Sequence, residues 1–150
     1  MANEELDYSK FETISPYSEE EAVAAIHSLA NEPLAYSISQ KFFPDKDEKF
    51  MSNALRQINS IDEFQVLIMS KAIKFIISNS MTSFTYDGIG NLSADKKFMA
   101  ISNHRDIILD PALTQLVLYQ NNIPTTEIAV GDNLLQNSLI EKILRSNRML

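Results

Sequence analysis

The hydrophobic period of this chain changes near residue 80, and that change limits the fold more than any other feature. Up to that point apolar residues recur at helical spacing; beyond it short apolar runs alternate with turn residues. Ser18 and Glu21 form a capping-box pattern after Pro16, with Ala22, Val23, Ile26 and Leu29 following on one helical face. Pro33 and Pro44 bracket a short helix, because proline is tolerated at a helix start but not in its interior. A third helix is predicted from about Asp47 to Ile58. Ser60 and Glu63 repeat the capping-box pattern and open the longest one, Ile61 to about Ser78.

After residue 80, Ser83–Tyr86, Lys97–Ser102 and Thr126–Val130 read as strands. A helix from about Asp110 to Gln120 lies between the last two. Gly131 ends the third strand, and Asp132 or Asn133 is expected to cap a final helix to about Ser146. Strand, helix, strand, helix is the βαβ rhythm of a parallel sheet. The expected class is therefore α/β (α+β overall): a helical segment over 1–80, then the first part of an α/β domain with a mostly parallel sheet over 81–150. So few strands make a thin sheet, and the chain stops at Arg148-Met149-Leu150 without a turn or cap, so it reads as a piece of a longer protein.

The 150 residues contain no cysteine, which excludes disulfides, thiolate metal sites and a cysteine nucleophile. The net charge of -7 argues against a broad face for nucleic acid. All of that acidity lies in residues 1–50, which hold 11 acids and 4 bases. The opening MANEELDYSK does not read as a signal peptide, and no apolar run is long enough to span a membrane. The helix from Ile61 is apolar nearly all round, with Lys71 and Lys74 its charges after Glu63. A buried helix is the expected reading and an interfacial one the rival.

The densest chemistry is Ser102-Asn103-His104-Arg105-Asp106-Ile107-Ile108-Leu109-Asp110, between an expected strand and an expected helix. Ligands of open α/β sheets bind beyond the strand ends. A carboxylate that accepts from one imidazole nitrogen raises the basicity of the other, as a general base for a hydroxyl requires. The competing reading is an exposed histidine in a polar connection, with Asp110 as helix cap. His27 has no second histidine near it and no metal site is expected. His104-Arg105-Asp106 matches a kinase catalytic-loop triplet, but Pro111 stands where the metal-binding asparagine belongs. Gly88-x-Gly90 lacks the third glycine of a dinucleotide fingerprint.

The run SNHRDIILDPAL, with EIAVGDNLL and IEKILRSNR after it, resembles the glycerolphosphate and lysophosphatidic acid acyltransferase family, whose first block is N-H-x-x-x-x-D. The resemblance covers about residues 84–150. It implies transfer of a fatty acyl group from acyl-CoA or acyl carrier protein, as co-substrate, to a hydroxyl of glycerolphosphate or a lysophospholipid. No other cofactor is implied. His104 would be the general base and Asp110 its partner, with Asp106 as the alternative. From His104, the family's aspartate position holds Leu109, with Asp110 one residue later. Asn103, Arg105, Gly131 and Asp132 would contact substrate, while Arg145 and Arg148 read more simply as cations at a helix end. The family's later arginine-bearing and Pro-Glu-Gly-type blocks have no counterpart, so this chain alone is expected to be inactive. The resemblance implies a cytoplasmic enzyme, with peripheral contact on the inner membrane face left open. A non-catalytic helical interaction module, or another transferase or hydrolase using the same histidine, are the competing functions.

Overall fold

The computed structural model describes residues 15–103 and 105–149. Seven α-helices run through them: α1 Glu19–Leu29, α2 Pro33–Phe42, α3 Phe50–Gln57, α4 Ile61–Phe64, α5 Ser70–Ser80, α6 Leu109–Gln120 and α7 Ser138–Arg145. A π-helical turn, Gln65–Met69, joins α4 to α5, so Ile61–Ser80 is one continuous rod with a wide turn in it. Short 3₁₀ turns cover Ile89–Asn91 and Asp132–Gln136.

The caps explain where the first elements begin. The Ser18 hydroxyl accepts from Glu21 N, and the Glu21 carboxylate accepts from Ser18 N at 2.8 Å, so the capping box is reciprocal. At α4 the arrangement is shared among more residues. The Ser60 hydroxyl accepts from Glu63 N at 3.0 Å, the Glu63 carboxylate from Asn59 N at 2.7 Å, and Glu19 reaches across from α1 to accept from Ile61 N at 2.7 Å. The acidic first turn of α1 thus also satisfies an N–H at the start of α4 that has no helical acceptor.

Ile26, Met51 and Ile58 are almost wholly excluded from solvent, and with Leu29, Leu55, Phe64 and Ile68 they form the core between α1, α3 and the long rod. Each such side chain contributes about 1.5–3 kcal/mol relative to exposure. His27 Nε2 lies 2.8 Å from the Ile58 carbonyl and ties the end of α1 to the segment after α3. The C-terminal part closes back on this core: α7 packs on α1. The fully buried Ser146 hydroxyl donates to the Ala22 carbonyl. Gln65, in the π turn, accepts from Thr125 Oγ1 at 2.8 Å and donates to Asn147 Oδ1 at 3.1 Å.

The expected parallel sheet is absent from the described residues, and the α/β class is corrected to a helical one. Segments 83–86, 97–102 and 126–130 are not paired as strands; the single bridge is parallel, Ile128 with Met149, where Ile128 N donates to the Arg148 carbonyl at 2.8 Å. Alternation of apolar residues fits a pleated strand only where neighbours cover it. Here Met99 and Ile101 are 84% and 88% exposed. Helix α6 packs on α5 instead of forming a crossover between two paired strands. The final helix also starts later than expected. Asn137 caps it by accepting from Leu139 N and Ile140 N, while Asp132 opens the preceding 3₁₀ turn.

The long rod is covered on one face and solvated on the other. Ile61, Phe64, Ile68 and Ile73 are buried, whereas Lys71 and Lys74 are exposed. Among the described residues, no helix is long and apolar enough to cross a membrane.

Candidate functional site

Two aspartates shape the loop that leads into α6. The Asp106 carboxylate accepts from Ile108 N at 2.9 Å and Leu109 N at 2.8 Å, which places it at the amino end of the helix. The competing reading of the sequence gives that capping role to Asp110; in the structure Asp106 holds it. Asp110 lies in the first turn of α6, and its carboxylate reaches back to accept from Arg105 N at 2.7 Å and Asp106 N at 2.9 Å. Its oxygen therefore sits over the chain immediately after position 104. His104 itself lies outside the described residues.

Asp110 also borders an open cleft of about 570 Å³. One side is made by Ala100, Ile101 and Ser102, the other by residues 126–131, with Pro111, Thr114 and Gln115 of α6 as its floor. Gln115 fixes the far wall to the helix: its amide donates to Thr126 Oγ1 at 2.9 Å and accepts from Thr126 N at 2.8 Å. Asp110 and Thr114 are four residues apart on α6, so they share a face, and Thr114 Oγ1 donates to the Asp110 carbonyl at 2.9 Å. The volume is within the ordinary range for small-molecule sites.

Of the residues singled out in the sequence, Asp110 and Gly131 meet at this cleft. Asn103, Arg105 and Asp106 lie exposed along the loop. Gly131 has an extended backbone with φ -73° and precedes the 3₁₀ turn that Asp132 begins. A side chain there would run into Asn133 Oδ1, the movable end of an amide, so a small residue could be accommodated. Thr114, Gln115 and Thr126 are not among the site residues read from the sequence. The signal for Thr114 was its i, i+4 relation to Asp110, which puts a hydroxyl on the same helical face as the carboxylate; Gln115 and Thr126 meet only through the fold.

The two C-terminal arginines have structural work. Arg145 donates to Glu141 at 3.0 Å and to the Ser15 carbonyl, and its guanidinium lies 4.3 Å from the Tyr17 ring centroid. Burial, followed by the Glu141 charge, pushes the Tyr17 hydroxyl above its ordinary pKa. Arg148 follows α7 with φ 60° and donates to Asp62 at 2.8 Å. Among the described residues no group of three or more His, Cys, Asp or Glu side chains is placed to hold a metal ion.

Comparison with known protein families, curated protein sequences and solved structures gives no match to this chain.

Proposed function

We propose that this chain carries the catalytic loop of an O-acyltransferase of phospholipid synthesis, with His104 as general base and Asp110 as its partner. The observation that supports the pairing is the Asp110 carboxylate, folded back onto the N–H groups of the two residues after His104 at the mouth of an open cleft. The sequence resemblance of SNHRDIILD supports the reaction class. His104 takes the proton of a glycerol hydroxyl as that oxygen attacks the thioester carbonyl. The new C–O bond forms, the C–S bond breaks, and the departing thiolate recovers the proton from the imidazolium. Asp110 orients the imidazole and stabilises its charged form. Donor and acceptor are a fatty acyl thioester, of coenzyme A or acyl carrier protein, and a glycerolphosphate or lysophospholipid. The reaction takes place in the cytoplasm, with the lipid reached by peripheral contact with the inner membrane face.

In the protein that contains this chain, His104→Ala abolishes acyl transfer from a radiolabelled acyl thioester while circular dichroism is unchanged. Undiminished turnover in that variant refutes the mechanism. A second reading, a helical interaction module, is favoured by one observation, a core built from α1, α3 and the long rod without a sheet. It requires that no thioester turnover accompanies the chain and that His104→Ala leaves partner binding intact.

A further inference from the structure

Between α2, the long rod and α7 lies a pocket of about 220 Å³ with a wholly apolar exposed wall. Ile38, Phe42, Ile68, Ile73, Ile76 and Ile143 line it, and Ala35 and Ala72 leave space that larger side chains would fill. Such a volume is larger than the cavity of about 150 Å³ that stays dry and takes up benzene when lined by Leu, Ile and Phe. Taking a methylene as comparable in bulk to a water molecule, at about 30 Å³, the pocket holds roughly seven of them.

Its second informative feature is where it meets the rest of the molecule. Ile108 borders this pocket, whereas the preceding residue, Ile107, borders the cleft that holds Asp110, Thr114 and Gln115. Ile108 is 64% exposed and Ile107 45%, large apolar side chains in an otherwise polar loop. Successive residues of one loop thus border a cleft that offers a carboxylate, a hydroxyl and an amide, and a pocket whose exposed wall is apolar. A ligand that occupies both has a polar head and a hydrocarbon tail.

We infer that the helical segment binds the unbranched hydrocarbon tail of an acyl ligand, with Ile107 and Ile108 as the threshold between tail and head. The placement of the head beside Asp110 rests on the function proposed above; the tail pocket stands on its own geometry. Each methylene transferred from water into the pocket tightens binding about fourfold until the space is full.

The test is calorimetric titration of the chain with straight-chain alkanoates from butanoate to tetradecanoate, each below its micelle concentration. Affinity rises about fourfold per methylene to a chain of about eight carbons and then levels. Ala72→Phe removes this binding with an unchanged melting temperature, and Ile76→Ala moves the plateau to a longer chain. Affinity independent of chain length, equal binding of benzoate, or undiminished binding by folded Ala72→Phe each overturns the inference. So does sedimentation showing that a second copy of the chain fills the pocket and that Ala72→Phe dissociates it. Asp110→Asn leaves the alkanoate plateau in place, so loss of acyl transfer in that variant bears on the catalytic reading and not on the pocket.

Discussion

Replacing Asp106 by alanine separates the tasks of the two loop aspartates. Its carboxylate accepts the N–H groups of Ile108 and Leu109, at 2.9 and 2.8 Å, where the first turn of α6 has no carbonyl to receive them. Removing a carboxylate or amide cap costs about 0.5–2 kcal/mol, typically about 1. One kcal/mol at room temperature is about a fivefold rise in the opening of that turn. Asp106→Asn keeps an acceptor oxygen and loses only the charge opposite the helix dipole, so its effect is smaller. Amide hydrogen exchange followed by NMR reads the difference residue by residue. Asp106→Ala accelerates exchange at 108 and 109, and Asp110→Ala accelerates it at 105 and 106, because the latter carboxylate is bonded there. If both substitutions perturb the same amides, or if Asp106→Asn matches Asp106→Ala, the division of roles is wrong. In acyl transfer, Asp110→Asn costs far more than Asp106→Asn; the reverse order would reassign the partner of His104.

Hydrogen bonds from the Ser18 backbone and hydroxyl hold the Glu21 carboxyl below its ordinary value of 4.5. A depressed folded pKa stabilises the folded state above the unfolded value and ceases to do so as pH falls through the folded one. Urea midpoints measured below pH 4.5 therefore decline with acid, and Ser18→Ala flattens that part of the profile only in part, because the Ser18 N–H, the larger cause, stays. Arg148 occupies left-handed backbone at φ 60°, a conformation glycine adopts without strain. Since the Asp62 partner of Arg148 is mostly exposed, Arg148→Gly is more stable than Arg148→Ala by about 1 kcal/mol in chemical unfolding.

The N-terminal helices were legible in the sequence because their signals are local. Ser18 with Glu21, Ser60 with Glu63, and Pro33 each act within a turn or so of themselves, and each marks a helix start in the structure. The strands misled because β-pattern is a statement about neighbours. Met99 and Ile101 alternate as a half-buried strand would, yet nothing described covers them. Cap assignment failed for a similar reason at the last helix, and at α6 the capping role that the competing reading gives to Asp110 falls to Asp106. Asp106, Asp110, Asp132 and Asn137 are all suitable caps, and the choice among them depends on how the connecting loop turns. At the site, the spacing brought Asp110 next to the residues after His104, but the Gln115–Thr126 pair that holds the far wall depends on a contact between separated segments.

The wide turn at Gln65–Met69, which the apolar run does not signal, shows as a step in the burial pattern: Ile61, Phe64, Ile68, then Ile73. Intervals of three and four are helical, and the interval of five is the surplus residue that a π turn absorbs. The rod is therefore two helices held at a fixed rotational offset. Deleting one residue of the turn would let it close into ordinary helix with its buried face still in phase, because Ile68 and Ile73 would then stand four apart. Ile73 and Ile76 would keep facing the apolar pocket, and Phe75 its edge-to-face partner Phe42. What the rod cannot accept is ordinary helix through the full count: with no wide turn, every residue after it would stand about 100° out of phase with the core.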